Sequence, residues 1–208
     1  ASLKKYLKVK KSAIFINIGG ISNITYISKT GGLTAFDTGP GMCLLDDYVK
    51  LNTKNQFDLN GNFSKRGKIN YRILKKNMSD EFFKKDYPKS LDRNYFSIKK
   101  YKNLDFYDAC ATISMFTVLS IYEGIKKTEI DCDYIYLVGG GSRNQFISSK
   151  LSNLIPGKIK LINKLSLSDN YIESQAFAYL GVRSIKKLPI SYPKTTGIKK
   201  ALSGGDLY

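Results

Sequence analysis

FINIGGISNITYI, residues Phe15 to Ile27, sets two β-branched and aromatic runs on either side of Gly19-Gly20. Runs rich in Ile, Phe, Thr and Tyr suit a pleated strand, and a glycine pair between them permits a tight reversal. The stretch therefore predicts a β-hairpin of residues 13–18 and 21–27. Two further glycine turns follow apolar runs: AFDTGPGMCLLD, Ala35 to Asp46, and IYLVGGGSRNQF, Ile135 to Phe146. Glycine lets backbone amides approach an anion where a Cβ would collide, so the three turns together read as a cradle for a phosphorylated ligand.

Outward from the hairpin, Leu33 to Phe36 is a short strand, and Leu44, Leu45 and Tyr48 recur at helical spacing between Met42 and Lys50. The lysine- and asparagine-rich stretch at about 51–104 predicts a peripheral insertion of two helices and long loops. Between Asp105 and Lys127, Phe106, Ala109, Ile113, Phe116, Leu119 and Ile125 mark a helix. Its other face carries Ala111, Thr112, Ser114 and Thr117, small enough for burial on most sides. Tyr134 to Val138 is a continuous apolar strand of the parallel type. A helix from Asn144 to Leu154, a strand from Ile159 to Ile162 and a helix from about Asn170 to Lys186 complete the pattern. A hairpin followed by βαβα predicts one α/β lobe with a mixed sheet flanked by helices, spanning residues 1–208.

With 208 residues and 42% hydrophobic content, the chain can bury one substantial core. A net charge of +17 invites an acidic partner. The lysines are nevertheless scattered, the arginines number only five, and Asn and Ile abound, the signature of AT-rich coding. A basic nucleic-acid-binding module would need clustered arginines and exposed aromatics, which the sequence does not display, so neither nucleic acid nor membrane is expected as a partner. Cys43, Cys110 and Cys132 are odd in number, lack CxxC spacing and have no His to complete a metal site. They read as reduced, partly buried thiols of a cytoplasmic protein. The basic start resembles a secretory n-region, but Asn17 interrupts the apolar run and a strand fits better. No segment approaches the ~20 apolar residues that cross a bilayer.

Two familiar phosphate cradles are excluded by spacing. GNFSKRGKI, Gly61 to Ile69, lacks the GxxxxGK[ST] order of a Walker A loop. GGGSRN puts Asn144 at the third glycine of a dinucleotide fingerprint, and the next strand ends in Asn163-Lys164 instead of an acid. What remains is the division of labour of the actin, sugar kinase and Hsp70 superfamily, in which a hairpin turn approaches the phosphates and a strand, GGG turn and helix hold adenosine. Six strings in order narrow the resemblance: NIGGISNIT, FDTGPG, PKS with Arg93 beyond it, LVGGGSRN, ESQAFAYL, and the tail from Thr195-Thr196-Gly197 to Leu207-Tyr208. Together they resemble the C-terminal lobe of anhydro-N-acetylmuramic acid kinases, of ribonuclease H-like fold.

That resemblance implies an ATP- and Mg2+-dependent cytoplasmic enzyme of peptidoglycan recycling. It opens the 1,6-anhydro ring of anhydro-N-acetylmuramic acid and phosphorylates O6, giving N-acetylmuramic acid 6-phosphate. Asn17, Gly19, Gly20 and Asn23 match the phosphate hairpin. Asp37, Gly39 and Gly41 match a loop opening a helix whose amides can hold an anion, with Asp37 placed to orient a metal-bound water or a sugar hydroxyl. Gly139, Gly140, Gly141, Arg143 and Asn144 match the adenosine border. Glu173 matches an acid that hydrogen-bonds the sugar, with Phe177 and Leu180 behind it as core, and Lys89, Ser90 and Arg93 match a substrate-contacting segment. The residue readings alone leave Asn17 and Asn23 as hairpin-turn residues, Asp37 as a helix cap, the GGG run as a strand-to-helix turn and Glu173 as a solvated first-turn acid.

Departures are local: Met42 where the family has Asn, Leu91-Asp92 where it has Thr-Gly, Asn94 in place of an acid, and CATI at 110–113 for part of QATLT. The family's GTSxDG loop and the DxxxGGQGAP segment with its catalytic Asp are not among these residues. The expectation is a C-terminal half, with the N-terminal lobe absent, no catalytic base of its own and no turnover alone. It would be completed by a separately encoded lobe and be homodimeric by family resemblance. A decayed remnant of a split gene and a lobe of another actin-like ATPase or sugar kinase stay open beside it.

Overall fold

The computed structural model describes residues 11–128, 132–161 and 172–206. Its sheet is built from β1 (Ala13–Ile18), β2 (Ile21–Ile27), β3 (Leu33–Pro40), β4 (Tyr134–Val138) and β5 (Ile159–Leu161). The strand order is β3-β2-β1-β4-β5, with β1–β2 and β2–β3 antiparallel and β1–β4 and β4–β5 parallel. This is the predicted mixed sheet, flanked by helices. The helices are α1 (Cys43–Asn52), α2 (Tyr71–Met78), α3 (Glu81–Lys84), α4 (Phe106–Lys127), α5 (Gln145–Leu154), α6 (Ile172–Ile185) and α7 (Pro193–Thr196). Among the described residues no helix is long and apolar enough to cross a membrane.

Strand periodicity sorts the side chains between two faces. Ile14, Ile16, Ile18, Ile24, Ile135 and Leu137 form one fully covered layer against Val118 and Ile121 of α4 and Ile147 and Leu151 of α5. Ala13, Phe15, Ile27, Tyr136 and Val138 form the other, with the Phe15 and Tyr136 rings stacked at 5.2 Å. The Asp105 carboxylate caps α4 by accepting from the Tyr107 N–H at 2.9 Å, and Lys126 and Lys127 end it where the helix dipole favours cations. The helix is buried on most sides, as its small residues predict.

Two expectations need amendment. β3 continues to Pro40, four residues beyond the predicted Leu33 to Phe36, because its last residues pair with Ile21, Ser22 and Asn23 through a bulge. The 51–104 stretch does hold two short helices, yet it is more than surface. Leu74, Phe82, Leu91, Phe96 and Tyr101 are buried in a second apolar cluster with Leu45, Tyr48, Ile113 and Phe116. Tyr101 and Asn77 share a buried hydrogen bond of 2.7 Å there. The three cysteines are buried and form no disulfide, and burial pushes the Cys110 thiol up to about 12, which disfavours its thiolate. Ile162 and residues 163–171 lie outside the described residues.

Candidate functional site

β1 and β4 run parallel side by side, and the chain leaves their carboxyl ends in opposite directions, β1 into β2 and β4 through α5 to β5. A crevice opens at such a switch point, and open α/β sheets bind ligands there. Two of the glycine turns are these exits. The third, at the end of β3, is tied to the first: the Gly41 N–H donates to the Gly20 carbonyl at 2.9 Å, Met42 to Gly19 at 2.8 Å and Cys43 to Gly20 at 3.1 Å. The sequence reading gave the amides opening α1 to an anion. In the structure those of Gly41, Met42 and Cys43 go to the hairpin, because a helix start needs acceptors and the reversal at Gly19-Gly20 presents two carbonyls.

The glycines themselves divide into two kinds. A Cβ on Gly41 would collide with the Gly19 carbonyl, on Gly139 with the Asn17 side chain, on Gly141 with Ile18 and Met42, and on Gly39 with Ser120. Gly139 also has a φ of 81°, where L side chains are strained. These four bring protein segments together. Gly140, by contrast, has nothing within 4 Å of its Cβ position, and the nearest atoms for Gly19 and Gly20 lie at 3.5 and 3.9 Å. Room for a ligand backbone contact is thus offered at Gly19, Gly20 and Gly140, with the exposed Arg143 three residues beyond Gly140. Asn144 is 3% exposed and caps α5, accepting from the N–H groups of Phe146 and Ile147 at 3.1 and 3.2 Å. Its assigned place on the adenosine border is therefore filled by a buried capping side chain.

Beside the turns, strand register places Asn17 opposite Asn23 and Asn23 opposite Asp37, a polar row across three adjacent strands on one face. Asp37 also holds a strap along the free edge of β3. Its N–H donates to the Lys89 carbonyl at 2.9 Å, and its Oδ2 accepts from the Leu91 N–H at 2.8 Å. Burial raises the Asp37 carboxyl above the ordinary range, and the Leu91 bond opposes that in part. The strap's side chains do not converge. Lys89 turns back to α3, donating to the Phe82 carbonyl at 2.9 Å with its ammonium 4.3 Å from the Phe82 ring centre, and burial pulls it down to about 8. Ser90 is exposed, and Arg93 pairs with Asp47 of α1 at 2.8 Å. Glu173 lies in the first turn of α6, and its side chain is outside the described residues. Phe177, expected as core, is 66% exposed, because α6 turns Leu180 and Arg183 toward the sheet instead.

Some supporting residues escaped the sequence reading. Thr117 of α4 donates to the Gly41 carbonyl at 2.8 Å, and Thr38 donates to the Ser22 hydroxyl at 3.0 Å. The signal available was the small-residue spacing Thr117, Ser120, Gly124, which lets α4 lie against the glycine turn. Asp46, in the first turn of α1, was also missed. Burial pushes its carboxyl up to about 6 despite the nearby Lys50, and its Oδ1 is buried with no hydrogen-bond partner.

The residues fit a nucleotide: open glycine backbone, neutral amides and an exposed arginine at a switch point suit a polyphosphate and its base. A family model described as anhydro-N-acetylmuramic acid kinase matches residues 4–208. An anhydro-N-acetylmuramic acid kinase of Legionella pneumophila (strain Paris) is 34% identical over 209 residues, 98% of this chain and 57% of that protein. One from Zymomonas mobilis (strain ATCC 31821 / ZM4 / CP4) is 35% identical over 194 residues, 93% and 53% respectively. The chain thus spans about half the length of the curated relatives it matches. Among solved structures, an activator of 2-hydroxyisocaproyl-CoA dehydratase from Clostridium difficile with bound ADPNP aligns with a TM-score of 0.46 at 16% identity, covering 78% of this chain and 62% of that one.

Proposed function

The chain belongs to the anhydro-N-acetylmuramic acid kinase family, and on that premise we propose that it forms the nucleotide-holding wall of a kinase cleft. The substrate is anhydro-N-acetylmuramic acid, whose 1,6-anhydro ring is opened as O6 is phosphorylated. The observation that carries this reading is the meeting of the three glycine turns at the β1/β4 switch point, with clearance kept at Gly19, Gly20 and Gly140.

ATP with Mg2+ would supply the phosphoryl group and the charge neutralisation that its transfer needs. This chain's part is positioning. The backbone at Gly19-Gly20 and the amides of Asn17 and Asn23 bind the phosphates, the Gly140 to Arg143 turn borders the nucleoside, and Asp37 orients water or a sugar hydroxyl. The hydrogen bonds from Gly41, Met42 and Cys43 to the hairpin carbonyls keep that wall rigid. The base that activates water at C1 comes from the other wall of the cleft, in the portion of the relatives to which this chain does not correspond. Met42 and Leu91, though departures from the family pattern, are accommodated. Met42 packs against both apolar clusters and Leu91 is 9% exposed.

The test is complementation. The 208-residue chain alone is expected to bind ATP weakly by calorimetry and to show no turnover of anhydro-N-acetylmuramic acid. Turnover should appear when the N-terminal lobe of the Legionella relative is added. Absence of any ATP binding would overturn the nucleotide wall, and robust turnover by the chain alone would overturn the division of the cleft between two lobes.

A further inference from the structure

We propose that the chain carries a second ligand site, on the outer face of the β2–β3 edge of the sheet, which takes a small carboxylate with an apolar body. A cavity of about 730 Å³ lies between the outer face of β2 and β3 and the C-terminal segment from α6 to α7. Leu33 and Ala35 line it from the sheet, and Leu180, Pro189 and Ile190 from the opposite side. The volume falls within the few hundred to ~1,000 Å³ typical of small-molecule sites, and the lining is mostly apolar, as in such sites. Ala35 and Thr25 stand two residues from Asp37 and Asn23 on the same face, so by strand rise the cavity begins about 7 Å from that polar row and at Leu33 reaches about 20 Å from Gly39.

Arg183 sets the chemistry. Its Nε donates to the Pro189 carbonyl at 2.7 Å, Nη1 to the Tyr179 hydroxyl at 3.1 Å and Nη2 to the Tyr192 hydroxyl at 2.9 Å. The Tyr192 hydroxyl in turn donates to the Pro189 carbonyl at 3.2 Å. All three acceptors are neutral, so the guanidinium is held in a fixed plane with its charge uncompensated by them. A guanidinium has five N–H groups, and these bonds use three, leaving two for a ligand. Lys194 adds a second cation to the lining, and among the described residues no Asp or Glu is part of it. A planar fork pinned by neighbours, inside apolar walls and without an acid, selects a carboxylate attached to hydrocarbon over a cation or a neutral amphiphile.

The charge series octanoate, octanol and octylammonium, titrated into the 208-residue chain by calorimetry, tests this. Octanoate should bind saturably at one site, octanol about tenfold more weakly, as for loss of one charge-assisted contact, and octylammonium not at all. Arg183→Gln should reduce octanoate to the octanol level. Ala35→Trp fills the cavity from the sheet side with Arg183 untouched, and should abolish binding with little change in Tm. Equal binding of all three probes, non-saturating uptake, or undiminished octanoate binding by folded Ala35→Trp would overturn the proposal. The series on the unmodified chain decides even if both variants fail to fold.

Discussion

Asp46 shows how a single side chain can be set against its surroundings. It stands in the first turn of α1, where the helix dipole favours a carboxylate, and Lys50 pulls in the same direction, yet burial outweighs both and lifts it from 3.8 to about 6. An acid raised on folding holds its proton more tightly in the folded chain. The folded state therefore loses stability relative to the unfolded one as pH rises from about 3.8 to about 6, and the loss is complete above that window. Asp46→Asn cannot ionise and fills nearly the same volume. Its Tm should match the parent at pH 4 and exceed it by about 2–5 °C at pH 7.5. A difference of equal size at both pH values would show that the effect is not titration. Nothing in the local sequence LLDDYVK flags Asp46 over Asp47, because what separates them is burial of Asp46 and the pairing of Asp47 with Arg93, 46 residues away in the chain.

At the scale of elements, the sequence was most informative where period and turn chemistry agree. The hairpin at Gly19-Gly20, the long helix α4 with its small face, and the apolar β4 followed by GGG all lie where patterning puts them. What it did not reveal is how turns meet. DTGPG reads as a loop opening a helix, but it finishes a strand, and the amides of Gly41, Met42 and Cys43 go to the hairpin carbonyls. Nor does sequence alone separate a glycine that clears a ligand from one that clears a neighbour, and that separation is testable. Gly141→Ala places a methyl against Ile18 and Met42, an overpacking that should cost about 1–3 kcal/mol by denaturant unfolding. Gly140→Ala enters open space and should stay within about 0.5 kcal/mol of the parent. If the proposed site is right, Gly140→Ala still weakens ATP binding. Equal destabilisation by the two would mean that the turn is held by its dihedral preferences and not by contact.

At the scale of the whole molecule, charge dominates. The chain has 34 Lys and Arg against 17 Asp and Glu, so half the cations would lack an acidic partner even if every acid were paired. The pairs that do form are at the surface, such as Arg93 with Asp47 at 2.8 Å and Lys126 with Glu123 at 3.6 Å, and exposed pairs contribute little. Folding brings these charges closer together and so works against their mutual repulsion. Sodium chloride should relieve that repulsion. Between about 20 and 300 mM the screening length shrinks from roughly 20 to roughly 6 Å. The Tm is expected to rise by a few degrees over that range and then level off, because screening saturates once the length falls below the charge spacing. Sucrose at the same ionic strength provides the control, since it strengthens burial without screening and should act equally at low and high salt. A Tm that does not respond to sodium chloride would mean that the lysines, though numerous, are spread too thinly to oppose folding. The excess charge would then be a matter of solubility and association, not of stability.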